Sequence, residues 1–280
     1  MPLLGQKSSK IMLSLVPTPI GNISDISIRS LEVLSTADII LCEDTRVTKK
    51  LIHLLKERHG LTTTEPQFLS LHSHNEADFV ASLTLDFFTA NVVYVSDAGM
   101  PGISDPGQLL VRYCLDHGIK YDILPGANAV LTAFVASGFC ETKMLFFGFL
   151  PHKGNDRSKA LQEALFNGYT TVLYESPKRL DKLLQEIHQL TPDRRVFCAK
   201  EITKKYQSFY HGVPLQVLGM MESEIRGEWV VVIEASGSCG ASLNEMDILA
   251  LDIPKKAASK LIAKITGENP KECYTRLLNL

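Results

Sequence analysis

Short β-branched runs alternate with longer stretches of helical periodicity, and this alternation limits the possible folds more than any other feature. Met12–Val16, Asp38–Cys42, Phe68–Leu71 and Val92–Ser96 read as strands, with Ile28–Thr36, Thr45–Lys56 and Glu76–Phe88 as the helices between them. In the second helix Val47, Leu51, Leu54 and Leu55 recur at helical spacing and predict one apolar stripe. Such a succession packs as a largely parallel sheet covered by helices. Its ligands gather at the carboxyl ends of the strands.

A second series starts near Tyr121–Leu124 and continues through strands at Leu145–Phe149, Thr171–Tyr174, Val196–Ala199 and Trp229–Glu234. Gln207–Tyr210 reads as an added short strand, so antiparallel pairs are expected among the later ones. The predicted organisation is an α/β fold of two α/β domains, 11–124 and 125–236, with a small helical appendix over 242–280. Gly- and Ser-rich Ser236–Ala241 is the expected linker before that appendix. Within it, Ser242 with Glu245 forms a capping-box pattern, and Asn269, Pro270 and Glu272 form a second start signal. Ala257, Leu261 and Ile265 are expected to line one face of a helix ending near Thr266–Gly267.

Three loops carry the strongest chemical signals. Val16-Pro17-Thr18-Pro19-Ile20-Gly21-Asn22 follows the first strand; its prolines stiffen the backbone, as either a plain turn or a cleft wall. Ser96–Gly107 follows the fourth strand and holds three glycines and two prolines in twelve residues, which neither a helix nor a strand accommodates. Asp97 there offers an acceptor for an amine or ribose, and Ser104 or Asp105 is the expected cap of the next helix. Leu124-Pro125-Gly126-Ala127-Asn128-Ala129 opens another helix with small residues, allowing a close approach to its free N–H groups.

Strand ends also carry charge. Cys42-Glu43-Asp44-Thr45-Arg46 places Asp44 as a plausible N-cap inside a polar cluster, and His72, His74, Asn75 and Glu76 end the third strand. Glu175 and Glu201 end two strands of the second half, as caps, ion-pair partners or site residues. The six cysteines show no C-x-x-C spacing, so they read as reduced thiols of a cytoplasmic protein with no metal site. The apolar stretch Ala129–Phe139 is too short to span a bilayer, and no membrane association is expected. A dinucleotide G-x-G-x-x-G after the first strand and a P-loop lysine after the glycine-rich turn are both missing, which argues against nicotinamide and nucleoside-triphosphate chemistry.

The series VPTPIGN, LCEDTR, VSDAGMPGISDPG, LPGANAV, FFGFLPHKG, YESPKRL and AKEITK, in this order, resembles the ribosomal small-subunit (16S) RNA cytidine 2′-O-methyltransferases of the tetrapyrrole-methylase superfamily. The resemblance covers roughly Leu13 to Glu234 and extends to the helical tail. It implies S-adenosylmethionine in a cleft between two domains, a homodimer and no metal. It assigns the cofactor to Asp97, Ala98, Gly99, Ile103, Asn128, Ala129, Glu175 and Ala199. Met100 and Gly102 stand where Thr and Leu are expected, Asn128 where Ser is commoner, and Lys200 where Arg is expected.

Methyl transfer from a sulfonium is an in-line displacement, so alignment supplies most of the rate. A ribose hydroxyl is a poor acid, and a positioned base helps. Glu43, Asp44, Glu175 and Glu201 are candidates for that base, with Lys200 if burial lowers its pKa; the Glu43–Asp44–Arg46 cluster is favoured for substrate engagement. The net charge of −2 requires any RNA contact to be a local patch. From Pro254 to Leu280 six Lys and Arg face two Glu, a local +4, and Lys256, Lys260 and Lys264 share one helix face. Lys49, Lys50, Lys153, Arg157, Lys204 and Lys205 are further cationic candidates. Two other readings are weighed: a tetrapyrrole-precursor methyltransferase, and a non-catalytic RNA-binding assembly factor.

Overall fold

A computed structural model describes residues 13–140, 142–221, 225–236, 245–251 and 253–278. The first half runs β1 (Leu13–Leu15), α1 (Ile28–Ser35), β2 (Ile39–Cys42), α2 (Thr45–His59), β3 (Gln67–Ser70), α3 (Glu76–Ala81), β4 (Val92–Val95), α4 (Gln108–Asp116) and β5 (Tyr121–Ile123). The second half runs α5 (Ala129–Ser137), β6 (Met144–Phe149), α6 (Gly154–Phe166), β7 (Thr170–Glu175), α7 (Leu180–Leu190), β8 (Val196–Lys200), β9 (Ser208–Gly212), α8 (Pro214–Met220) and β10 (Trp229–Ile233). Then come α9 (Glu245–Leu249), α10 (Lys255–Thr266) and α11 (Pro270–Leu278).

The first sheet is parallel throughout, in the order β3-β2-β4-β1-β5. Its central strands are apolar on both faces, as a sheet covered on both sides requires. Leu34, Ile40, Ile52, Leu55 and Val93 pack on one face, and Leu13, Leu41, Phe88, Tyr94 and Leu110 on the other. The second sheet, β6-β7-β10-β8-β9, is mixed: β6 and β7 are parallel, and the remaining neighbours antiparallel. The chain crosses between sheets after β5, and α5 packs on β10, β7 and β8. The chain therefore forms two α/β domains followed by C-terminal helices.

Several local expectations need correction. The helix expected over Glu76–Phe88 stops at Ala81, and a 3-10 turn follows at Leu85–Thr89. Ser82 donates its hydroxyl to the Phe79 carbonyl and Thr84 turns extended, which ends the helical run. On α2 the buried side chains are Thr48, Ile52 and Leu55, while Val47 is 41% exposed. On α10 they are Ala258, Ser259, Ile262 and Ala263, whereas Leu261 and Ile265 face outward. The α2 stripe holds at Leu55 and, half-buried, at Leu51 and Leu54 and fails at Val47, whereas on α10 the expected face, Ala257, Leu261 and Ile265, is the outward one.

The expected start of α11 holds, with Asn269 Oδ1 accepting from the Lys271 N–H at 2.9 Å, and Gly267 ends α10 in the left-handed region. Arg276 ties α11 to Glu245 and Glu268. Ser242 and most of the expected linker lie outside the described residues. No helix among the described residues is long and apolar enough to cross a membrane.

Candidate functional site

The loops that follow β1 and β4 are fastened to each other by main chain. Thr18 N–H donates to the Gly99 carbonyl at 2.9 Å, and Gly99 N–H returns to the Thr18 carbonyl at 3.0 Å. Two side chains reinforce the bridge: Thr18 Oγ1 donates to the Ser96 carbonyl and Ser96 Oγ to the Gly99 carbonyl. The loop after β5 then closes on the same point. A Cβ on Gly126 would stand 2.5 Å from Pro17 Cβ, so only glycine allows this approach.

These three loops form one side of a cleft of about 420 Å³ between the two sheets. Ala98, Gly99, Met100, Ile103, Ser104 and Asp105 line it from the β4 loop, with Ile20 from the β1 loop and Asn128 and Ala129 at the start of α5. Opposite lie Phe149 and Tyr174, the Glu175–Pro177 turn, Ile202, and Gly227–Val230 around the start of β10. The volume suits a ligand of nucleoside size, and a mostly apolar wall with a few polar groups is the usual form of such a site.

The sequence-derived residues distribute unevenly around this cleft. Ala98, Gly99, Ile103, Asn128, Ala129 and Glu175 line it. Asp97 stands behind the wall, where its Oδ1 accepts from the Asp44 N–H at 3.2 Å. Ala199 is fully buried in β8, packed in the core with Val130, Val172 and Val230. Asn128 caps α5, its Oδ1 accepting from Leu131 N–H. Glu175 has a fully buried side chain that pairs with Arg179 at 2.7 Å and Arg157 at 3.4 Å. A carboxylate so paired anchors its side of the cleft. Glu201 is likewise occupied, by the Glu228 N–H and the Lys204 ammonium.

Glu43 differs from these. Its Oε1 accepts from the Asp97 N–H at 3.0 Å, and it lies within electrostatic reach of Asp105 on the cleft wall. Burial, with the charges of Asp105 and Asp97 adding to it, pushes its carboxyl up to about 7. Asp44 goes the other way: hydrogen bonds from Arg46 hold it at about 2. Asp44 caps α2 as expected and grips Arg46 through Nε and Nη2 at 3.1 and 2.7 Å. The Arg46 side chain remains 89% exposed.

Glu76, the first residue of α3, has a role that its sequence context concealed. Its Oε1 accepts from the Gly107 N–H at 2.7 Å and the Leu109 N–H at 3.2 Å, capping α4 from another element. Neither Ser104 nor Asp105 caps that helix; its N-cap is Gly107, which has no side chain to offer. Asn75 is spent inside its own turn, accepting from His72 N–H and donating to the Ser70 carbonyl. Among the described residues no group of His, Cys, Asp and Glu could hold a metal ion. Ile20 brings the proline-stiffened loop to the cleft as one of its walls, whereas Phe149, Tyr174, Ile202 and Trp229 carried no sequence signal of their own as cleft residues except the last. Trp229, the only tryptophan, at the start of a strand, was the available signal.

Two sheets joined through a cleft roofed by three strand-end loops define a class, and the sequence agrees. Residues 12–215 match the model of the tetrapyrrole (corrin/porphyrin) methylases, and the chain belongs to that family of S-adenosylmethionine-dependent methyltransferases. Its curated relatives are more particular. It is 47% identical to the ribosomal RNA small subunit methyltransferase I of Campylobacter fetus, over 95% of this chain and 100% of that one. The proteins of that name are 42% identical in Helicobacter pylori (95% and 97% covered) and 38% in Bacillus subtilis (83% and 78% covered). Solved structures of the same fold include a cobalt precorrin-4 methyltransferase, at TM-score 0.57 and 18% identity over 79% of this chain and 94% of that one. The uroporphyrin-III C-methyltransferase of Thermus thermophilus, complexed with S-adenosylhomocysteine, matches at TM-score 0.53 and 14% identity over 79% and 96%.

Proposed function

We propose that the chain methylates the 2′-hydroxyl of a cytidine ribose in 16S ribosomal RNA of the small subunit, in the cytoplasm and as a homodimer. The observation that carries this reading is the setting of Glu43: its Oε1 accepts the Asp97 N–H at 3.0 Å beside Asp105 of the cleft wall, and burial pushes its carboxyl up to about 7. A group poised near neutrality takes a proton from a weakly acidic alcohol better than an ordinary carboxylate does. The names of the relatives support ribosomal RNA as the substrate.

Bound in the cleft, S-adenosylmethionine supplies an electrophilic methyl group. Ala98, Gly99, Ile103, Asn128 and Ala129 hold the donor by contact, and Glu175, fixed by Arg157 and Arg179, keeps the opposite wall in place. Asp97 fixes the loop from behind and Ala199 supports the wall from the core. Glu43 receives the hydroxyl proton. Asp44 aims Arg46 into solvent beside the mouth, where the guanidinium meets a phosphate of the incoming RNA. Lys256, Lys260 and Lys264, all exposed on α10, add contacts to the backbone.

The dimer is supported by α5, which is apolar on nearly every side. Its Leu131 and Val135 stand 53% and 78% exposed.

The test is mass-spectrometric mapping of small-subunit RNA after incubation with the purified protein and isotope-labelled donor. A single 2′-O-methylcytidine is expected. Label on a base, or none on RNA, rejects the reading.

A further inference from the structure

A second hollow lies beside the cleft, across a thin partition. Ile20 and Ile202 face the cleft, while the next residues, Gly21 and Thr203, line a separate groove of about 480 Å³. Its remaining walls are Asn22, Ile23, Leu54, Arg58, Lys204 and Lys205. The two domains touch closely here. A Cβ on Gly21 would fall 2.3 Å from Lys204 Cγ, and the Asn22 N–H donates to Thr203 Oγ1 at 3.1 Å. The turn is also strained: Glu201 and Thr203 have φ of 50° and 65°, and a β-branched residue rarely adopts that region. The Thr203 N–H bond to Gln207 Oε1 at 2.6 Å helps to hold it there. Strain kept in place by several contacts is a feature of sites that engage ligands.

The groove continues into a strongly basic helix. Helix α2 carries Arg46, Lys49, Lys50, Lys56 and Arg58 against Glu57 alone, so five less one gives +4 in a chain of net −2. Most cations nearby are already occupied. Arg46 is paired with Asp44, Lys56 with Glu65, and Lys204 with Glu201 and Glu228, while Lys49 lies over the Phe68 ring. Lys50, Arg58 and Lys205 have no carboxylate partner among the described residues, and Lys205 only overlies Tyr206. Arg46, Lys50, Leu54 and Arg58 recur at every fourth position. They share one helix face that runs roughly 18 Å from the Asp44–Asp97 contact, next to the β4 loop, to the groove.

We propose that this groove and the adjoining face of α2 hold the sugar-phosphate backbone of a single RNA strand, with phosphates on Arg58, Lys205 and Lys50 and the target ribose delivered at the Arg46 end. The inference rests on the RNA reading above and adds the path by which the strand reaches the cleft. Unpaired cations spaced along a line match a polymer of evenly spaced phosphates. The exposed hydroxyl that the reaction needs belongs to unstacked RNA.

The test uses the full-length protein with Lys50→Ala, Arg58→Ala and Lys205→Ala, singly and combined, and Arg58→Lys as a charge-preserving control. Fluorescence anisotropy with a short single-stranded oligoribonucleotide gives affinity as a function of salt. The slope of log K against log salt should fall by about 0.7 for each cation removed. The triple variant should raise KM for small subunits at least ten-fold and leave kcat and S-adenosylhomocysteine affinity as in the wild type. Arg58→Lys should retain most of the slope. Inorganic tripolyphosphate, titrated in parallel, should bind more weakly than the RNA at equal salt. An unchanged slope in the triple variant overturns the path while leaving the RNA reading intact. A preference for tripolyphosphate, or loss of binding to an acidic peptide instead of RNA, also overturns it. If the wild type neither binds nor methylates RNA, both fall together.

Discussion

Glu43 and Asp97 hold each other across the ends of β2 and β4: the Asp97 N–H reaches Glu43 Oε1 at 3.0 Å, and Asp97 Oδ1 receives the N–H of Asp44, the neighbour of Glu43, at 3.2 Å. Two carboxyls thereby lock the rim of the cleft through backbone donors. One of them keeps a proton to near neutral pH.

Turnover on small-subunit RNA should accordingly rise with pH through about 7, as Glu43 becomes ionised. Glu43→Gln keeps an acceptor for the Asp97 N–H but has no proton to exchange. Its kcat should drop by about 10²-fold or more, with S-adenosylhomocysteine affinity unchanged. A variant with near-normal kcat and the same pH profile would remove Glu43 from the chemistry.

The same substitution should stabilise the fold in alkali. A carboxyl raised from 4.5 to about 7 binds its proton more tightly in the folded chain than in the unfolded one. Its contribution to stability is therefore present at low pH and lost as pH rises through 7. Because the side chain is only half-buried, solvent screening reduces the effect to about 1 kcal/mol. Glu43→Gln should raise Tm at pH 8 by a few degrees and leave it unchanged at pH 4, as read by calorimetry.

Glu76→Ala should uncap α4 from a distance. Two N–H groups lose their acceptor, which costs about 1–3 kcal/mol in denaturant unfolding. Because the uncapped turn borders the Ala98–Asp105 wall, donor-product affinity should weaken as well. Loss of stability without any change in that affinity would confine Glu76 to a purely local role.

Gly126→Ala and Gly60→Ala should separate crowding from backbone conformation. At Gly126 the new methyl meets Pro17 at 2.5 Å, and at Gly60, with φ 67°, it meets nothing. The first should cost at least 1–3 kcal/mol and weaken cofactor binding, through displacement of the β1 loop. The second should cost about 1 kcal/mol with binding intact. Equal effects on cofactor binding would contradict the packing of Pro17 on Gly126.

Deleting 242–280 should weaken RNA binding more than cofactor binding. Lys256, Lys260 and Lys264 lie on the surface of α10, while the described cleft walls all precede residue 231. Equal losses, measured by anisotropy and calorimetry, would contradict a role for the appendix in RNA contact.

Sheet strands were legible because a buried parallel strand is a short apolar run bounded by breakers, and β1, β2 and β4 have no competing pattern. The Ser96–Gly107 loop was legible for the converse reason, since its glycines and prolines fit no regular element. Helix faces were not. Val47 and Leu261 repeat as regularly as Ile52 and Ile262, and only the neighbouring sheet or helix decides which stripe is buried. Glu76 was hidden because a cap supplied from 31 residues away leaves no local spacing. The strand-end position of Glu175 left it as a cap, an ion-pair partner or a site residue, and it both lines the cleft and pairs with Arg179. Its buried pairing with Arg157, eighteen residues upstream on α6, depends on how a helix lies against the sheet.

The two N–H donors that pair Thr18 with Gly99 are peptide groups. Away from Gly99, whose φ of 85° resists a side chain, exchange of side chains leaves both donors in place unless proline arrives at one of the two positions. The spacing of the cleft's roof is therefore insulated from drift in the residues that decorate it. New substrates can be accommodated by altering the decoration, while the donor-facing frame persists as a property of the chain's path.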